Sequence, residues 1–333
     1  MTLTDPCRPV LGYLAFSAAV LLGCRSNSPT QGSQDGVTTT HRQPATLGAS
    51  GQSGAAATRE AAPLERRLLE DQLVFPERPQ NEPMPFILFL HGFGSSGASL
   101  KQALLLSRVA ERYGFAYAAP SGPTDSHGRR FWNADGCCDF EHTGADHVRA
   151  LLDLLHRAAS DPRIDSARLY AYGFSNGGYM AHQLACVPST PLAGIVSVAG
   201  APPTREEFCR PDKPLAIVQV HGDEDRVVPF GGGFLLEEPS YPRVEAIMKG
   251  LNRWATALGC ANAHDAVVSS LDLLPEFPGR ETTRTFWARC RGTLALYFVK
   301  GGTHSNVTAI PLQVAALMTM MGHDVTPAAS QPE

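Results

Sequence analysis

Five short apolar runs constrain this 333-residue chain more than any other feature. Residues 86–90, 115–119, 193–198, 215–220 and 294–299 contain no charged side chain, and most of their ends are marked by Pro, Gly, His or Lys. Runs of that length read as strands buried on both faces. A sixth strand reads over 168–172, and an early one over 68–75. Helical spacing fills the intervals 100–113, 145–159, 178–186, 244–258 and 307–321. In the second of these, Val148, Leu151, Leu152 and Leu155 make one stripe. Strands alternating with helices predict an α/β fold, a mostly parallel central sheet with helices on both faces. The segment 121–143 has no clear period and holds Trp132, Cys137 and Cys138. A connection of that length usually carries function or a clamp.

The N-terminal end reads as an address. Residues 10–22 form an apolar core too short to span a bilayer and of the length of a signal-peptide core. It runs into Leu21-Leu22-Gly23-Cys24, which resembles a bacterial lipobox, where the Cys thiol is lipidated. The alternative is an ordinary secretory peptide in which Cys24 is incidental. Residues 25–63 are rich in Ser, Thr, Gly, Gln and Ala and cannot bury enough surface to offset ordering entropy. The expected organisation is a signal peptide with lipobox over 1–24, a disordered linker over 25–63, one catalytic domain over 64–325 and a flexible tail over 326–333.

The 28 Lys+Arg against 32 Asp+Glu give a net charge of -4, so no basic excess favours nucleic acid. The expected contact with a membrane is a lipid on Cys24 and nothing more. Of 8 Cys, Cys7 and Cys24 fall in the leader. The even remainder, Cys137, Cys138, Cys186, Cys209, Cys260 and Cys290, fits disulfides in an oxidising compartment, and fifteen pairings are possible. Cys260 with Cys290 and Cys186 with Cys209 are favoured because each pair flanks one αβ segment. A vicinal Cys137–Cys138 bond is then left over. Zinc is the rival reading, and adjacent cysteines without a Cys-x-x-Cys pair suit a tetrahedral site poorly.

The strongest chemical signal is Gly173-Phe174-Ser175-Asn176-Gly177, between a predicted strand and a predicted helix. A Gly-x-Ser-x-Gly nucleophile elbow requires that context. A serine hydroxyl needs a base, and on this plan the acid and then the histidine follow in the chain. The strand 215–220 leads into His221-Gly222-Asp223-Glu224-Asp225, and the strand 294–299 into Gly301-Gly302-Thr303-His304. Open α/β sheets place their sites at such carboxyl ends. His304 is therefore the expected base and Asp225 the expected acid, with Asp223 and Glu224 as rivals in the same loop. The amides of Asn176 and Phe93, the latter in His91-Gly92-Phe93-Gly94 after an early strand, are the expected oxyanion donors. His127, His142, His147, His156, His182, His264 and His323 read as surface or packing residues. No His/Asp spacing points to a metal, and no cofactor is expected.

Together these motifs resemble the extracellular polyhydroxybutyrate depolymerase and feruloyl esterase family. The resemblance covers about residues 68–320 and rests on HGFGSSG at 91–97, WNADGCC at 132–138, GFSNGGYMA at 173–181, HGDEDRVVPF at 221–230, WATALGC at 254–260 and GGTH at 301–304. It implies an α/β-hydrolase fold, cofactor-free serine esterase chemistry and the triad Ser175, Asp225 and His304, with HGxxDxxVP selecting Asp225. Trp132 is then a candidate pocket-lining residue. Ser305 and Asn306 follow His304 where the family often has His-x-Trp-Pro, so one pocket wall is expected to differ. The expected function is a secreted or lipid-anchored serine carboxylic-ester hydrolase acting on a small, oligomeric or polymeric ester. A serine peptidase on the same fold and a non-catalytic binding protein are the alternatives. Replacing Cys24 by Ser is expected to move the exported protein from the detergent phase to the aqueous phase on Triton X-114 partition, and unchanged partition would exclude a lipid at Cys24.

Overall fold

The computed structural model describes residues 73–77, 82–134, 136–204, 209–261 and 266–323, all within one unit, Arg59–Glu333. The expected signal peptide, linker and tail lie outside the described residues. So do residues 68–72 of the expected early strand; within the rest of it, Val74 makes an isolated antiparallel bridge to Tyr117.

The strands are β1 (Met84–Leu90), β2 (Ala116–Ala118), β3 (Ile164–Phe174), β4 (Gly194–Val198), β5 (Leu215–Gly222), the short pair β6 (Gly233–Phe234) and β7 (Arg243–Val244), then β8 (Val267–Leu271), β9 (Thr282–Phe286) and β10 (Gly292–Val299). Eight of them form one sheet in the order β2-β1-β3-β4-β5-β10-β9-β8. The pairs from β2 through β10 are parallel, while β10 with β9 and β9 with β8 are antiparallel. The expected mostly parallel sheet is thus present; five of its six parallel strands grow from the five apolar runs, and the sixth, β3, contains the strand expected over 168–172. The two antiparallel strands have no such run. Their sequences, VVSSL and TTRTF, are polar and partly exposed, with Val267 and Val268 open to solvent at the sheet edge.

Alternate side chains of β1 leave the sheet on opposite sides. Phe86, Leu88 and Leu90 enter one core, and Ile87 and Phe89 the other. All five are fully buried, which is why the run shows no polar alternation. The helices are α1 (Gly97–Ala103), α2 (Leu106–Tyr113), α3 (His147–Ala159), α4 (Asn176–Ala185), α5 (Ile247–Ala257) and α6 (Ile310–Met320). The Ser96 hydroxyl accepts from Ser99 N at 3.1 Å to cap α1, and Asp146 accepts from Arg149 N at 3.0 Å to cap α3. The single helix expected over 100–113 is broken at Leu105, whose φ of 50° turns the chain between α1 and α2.

Disulfides join Cys186 to Cys209, Cys260 to Cys290, and Cys137 to Cys138. Because β1, β3, β5 and β10 run parallel, their carboxyl ends lie along one rim of the sheet, and the loops that leave them meet there. Leu88→Ala, which empties a fully buried position in β1, is expected to cost about 2–5 kcal/mol in urea denaturation. A loss below about 1 kcal/mol would mean that this face of the sheet is not a close-packed core.

Candidate active site

Ser175 stands between β3 and α4 with φ 53° and ψ −118°. A residue with a side chain held there stores about 1–3 kcal/mol of backbone strain. The surroundings enforce it. Ser175 N donates to Val198 O at 2.8 Å, and its carbonyl accepts from Gly178 N at 2.8 Å and Tyr179 N at 3.1 Å. A Cβ on Gly173 would lie 1.9 Å from Gly177 O, and one on Gly177 would lie 2.1 Å from Leu90 O. Only glycine allows strand, turn and helix to press together so closely.

Asp225 follows β5 and His304 follows β10. His304 Nδ1 donates to Asp225 Oδ2 at 2.8 Å. Asp225 Oδ1 accepts from Val227 N at 2.9 Å and Val228 N at 2.8 Å, so both oxygens are engaged. Burial pushes the Asp225 carboxyl up, yet the His304 hydrogen bond, the charges of His304 and His221 and the Val228 amide together hold it below the usual carboxylate range. Asp223 and Glu224, the rivals for this position, are exposed. Asp223 instead accepts from Gly301 N at 2.6 Å, which ties the two loops together. The His304 ring packs on Phe174, the residue before Ser175, with ring centroids 5.1 Å apart. The His304 ring thus joins the buried carboxylate on one side and, through Phe174, the serine elbow on the other, each from a different strand end.

The loop after β1 touches the same elbow, since a Cβ on Gly92 would meet Ser175 Cβ at 3.3 Å. Phe93 is the next residue. Asn176 opens α4, where a backbone N–H has no carbonyl one turn earlier to satisfy it. Both expected donors thus flank Ser175. The Phe93 ring meets Phe140 at 5.3 Å, and Phe140 meets Tyr241 at 5.4 Å, so partly exposed aromatic side chains from three segments gather beside this loop.

Trp132 departs from expectation. It is fully buried, so it offers no surface to a substrate here. Its indole Nε1 donates to His91 O at 3.0 Å. Its backbone is gripped by the Asn176 side chain: Trp132 N donates to Asn176 Oδ1 at 2.7 Å, and Asn176 Nδ2 donates to Trp132 O at 2.8 Å. Trp132 is a strut under the loop after β1, placed by the polar ends of its own indole and backbone. His91 has a structural part that its place in the sequence does not signal. It is fully buried, accepts from Gly122 N at 3.0 Å through Nε2, and therefore carries its proton on Nδ1, which donates to Gly92 O at 2.7 Å. His147 and His182 are buried, while His127, His142, His156 and His323 are exposed. His264 lies outside the described residues.

Among the described residues one group brings metal-type ligand atoms within 4.8 Å of one another: Asp125, His127 and Glu141. No sequence spacing announces it, because Glu141 reaches it across the long connection. Its oxygens are taken up by Arg129 Nε, 2.7 Å from Asp125 Oδ2, and by the Ser126 amide and hydroxyl on Glu141. These bonds close the connection on itself, and the Arg129 guanidinium also lies over the Phe93 ring, 5.0 Å from its centroid.

The sequence profile of a family described as Phospholipase/Carboxylesterase matches residues 72–241. Among curated proteins, the NocK protein of Nocardia uniformis subsp. tsuyamanensis is 34% identical over 45% of this chain and 43% of its own. Feruloyl esterase B of Piromyces equi is 26% identical over 53% and 33% of the two chains. Poly(3-hydroxybutyrate) depolymerase of Ralstonia pickettii is 33% identical over 28% and 20%. The chain thus spans less than half the length of these relatives. Among solved structures, acetyl xylan esterase from Aspergillus awamori superposes with a TM-score of 0.54 at 15% identity, covering 75% of this chain and 92% of that one. At that identity the likeness concerns the fold.

Burial lowers the pKa of His91, His147 and His182 to about 4 from an ordinary 6.5. In the unfolded chain these groups take up protons near pH 6.5, and in the folded chain they do not. Stability is therefore highest above that pH and falls as the pH drops toward 4. Asp225, whose pKa is depressed below its ordinary 3.8, adds a loss only below that window. The urea midpoint is expected to fall steadily between about pH 6.5 and 4. A flat or rising midpoint over that range would show that the histidines are not held neutral by burial.

Proposed function

We infer that this chain, which belongs to the phospholipase/carboxylesterase family and has the α/β-hydrolase fold, is a serine carboxylic-ester hydrolase working through an acyl-enzyme on Ser175. The observation that carries the reading is the His304–Asp225 hydrogen bond beside a strained serine at a helix start. His304 Nε2 takes the proton as Ser175 Oγ attacks the ester carbonyl. The oxygen of the tetrahedral adduct gains charge, and the amides of Phe93 and Asn176 stabilise it at the positive end of α4. The imidazolium then gives its proton to the departing alkoxide. A water, deprotonated by the same imidazole, attacks the acyl-serine and releases the acid. Asp225 keeps the His304 Nδ1 proton in place, so that Nε2 faces the reaction, and offsets the positive charge that forms.

The substrate class we propose is an ester of a carboxylic acid with an alcohol, of the kind the named relatives handle: a feruloyl ester or a short hydroxyalkanoate oligomer. The aromatic rings of Phe93, Phe140 and Tyr241 beside the oxyanion loop favour a flat or apolar acyl group over a strongly charged one. Export, with a lipid on Cys24 and residues 25–63 as tether, belongs to the same proposal. The signal-peptide pattern of residues 1–24 and the disulfide bonds of the folded unit support an oxidising destination.

The test uses the exported protein on chromogenic acetyl, butyryl, longer-chain and feruloyl esters, beside hydroxybutyrate oligomers. Ser175→Ala is expected to lower kcat by about 10⁴-fold or more. Asp225→Asn is expected to lower it by about 10³–10⁴-fold, with KM little changed. A folded wild-type protein that turns over none of these esters would reject the esterase reading.

A further inference from the structure

Behind the candidate triad lies a chain of buried polar side chains that the esterase mechanism does not use. Trp254 on α5, His182 on α4, and Gln219 and His221 on β5 have no exposed surface. Trp254 Nε1 donates to His182 Nδ1 at 3.2 Å. His182 Nε2 lies 3.1 Å from Gln219 Oε1. Gln219 Nε2 lies 3.0 Å from Gly200 O and 3.1 Å from His221 Nδ1. His221 Nε2 lies 2.8 Å from Val228 O and 3.4 Å from Asp225 Oδ2, the oxygen that His304 Nδ1 also meets.

The direction of every bond is fixed by groups that can play one role only. An indole N–H donates, so His182 Nδ1 accepts and its proton is on Nε2. That proton goes to Gln219 Oε1, which sets the orientation of the amide. The Gly200 carbonyl accepts from Gln219 Nε2 and requires the same orientation independently. The second N–H of the amide then points at His221 Nδ1, so the His221 proton is on Nε2. The Val228 carbonyl, again an acceptor, requires that tautomer a second time. The His221 N–H is therefore donated to Val228 O, with Asp225 Oδ2 the next acceptor at 3.4 Å from the same nitrogen. Burial holds His221 neutral against the opposing pull of the Asp225 charge, with a smaller contribution from His304. Tyr179 is buried within the field of this carboxylate, and burial together with the Asp225 charge keeps its phenol protonated.

We propose that His221 is a positioning residue, held in one tautomer by the Trp254–His182–Gln219 chain, which fixes the Asp225 carboxylate in the plane that His304 requires. This rests on the esterase reading of Ser175, Asp225 and His304. It adds a second source of order: the acid is aligned from the core of the molecule and not only by its own loop amides. A rotated carboxylate would still be charged and close to His304, but would present Oδ2 poorly to Nδ1, and the base would lose its orientation.

The experiment compares wild type with His221→Leu, His221→Gln and Trp254→Phe. It reads kcat and KM on the best chromogenic ester, and the far-downfield proton resonance of the His304–Asp225 hydrogen bond. His221→Leu is expected to lower kcat by about 10- to 100-fold, with KM within about twofold, and to broaden or abolish the resonance. His221→Gln, whose side-chain N–H can still reach Val228 O and the carboxylate, is expected to recover most of both. Trp254→Phe keeps an aromatic ring and removes only the first donor, and is expected to lower kcat by about two- to fivefold while broadening the resonance. If His221→Leu does not fold, Trp254→Phe and Gln219→Met decide by the same two readouts. The proposal is overturned by kcat within about twofold of wild type in His221→Leu. It is overturned equally by a loss of kcat that leaves the resonance intact and is not recovered in His221→Gln. A wild type with the resonance but no ester turnover would sink the esterase reading alone, because the resonance reports alignment of the carboxylate without any substrate.

Discussion

At the elbow the backbone passes so close to its neighbours that no side chain fits between them. Gly177 abuts the carbonyl of Leu90 in β1, and Gly173 abuts the carbonyl of Gly177 itself. This contact fixes the distance from sheet to α4, and hence where Ser175 stands. The strain of the serine is sustained because the turn is hydrogen-bonded on both sides and the strands beneath it are buried on both faces. The loop after β1 then has nowhere to go but across the serine, with Gly92 against its Cβ. The placing of Ser175 and that of the loop after β1 are thus two consequences of one close approach.

Three of the buried histidines, His91, His182 and His221, are satisfied in different ways. His91 has its Nε2 occupied by the Gly122 amide, and His182 and His221 belong to a chain whose polarity is set by an indole and two carbonyls. In a low-dielectric interior such networks hold geometry well only when their members are paired, because an unpaired buried polar group is costly. His304 differs from these in keeping part of its ring exposed, at 12% of its side chain, while the Asp225 side chain has none. On the proposed reading, His304 has to exchange protons with substrate and water, while Asp225 has only to remain charged and still.

The parallel strands and the three strand-end motifs were legible because burial on both faces leaves a simple trace: short uncharged runs, mostly flanked by Gly, His or Pro. β8 and β9 left no such trace, since an antiparallel edge half open to water tolerates Ser, Thr and Arg. The break at Leu105 was invisible for the opposite reason. Leucine is a good helix former, so nothing in its residue type marks the positive φ it adopts at an exposed position. At the site, Ser175, Asp225 and His304 could be read because each follows a recognisable strand. His221 stood in the same motif as Asp225, yet nothing local told that its ring turns inward. Its position two residues after Gln219 on a strand is the one available signal, since it puts both side chains on the same face.

Trp132 shows where reading by residue type goes astray. A tryptophan beside a catalytic loop invites a substrate-facing role, but a buried indole with one N–H can equally serve as a strut if a carbonyl waits for it. Here His91 O is that carbonyl, and the Asn176 amide closes the backbone on the other side. Asn176 consequently has two functions that sequence could not separate. Its backbone N–H is the proposed oxyanion donor, and its side chain binds the 121–143 connection to the helix that carries that N–H. With Asn176 Nδ2 also 3.9 Å from Cys137 Sγ, the vicinal disulfide sits at the end of the same clamp. The long connection is therefore part of the serine site without contributing a reacting group: it holds from behind the two loops between which an ester carbonyl would have to lie.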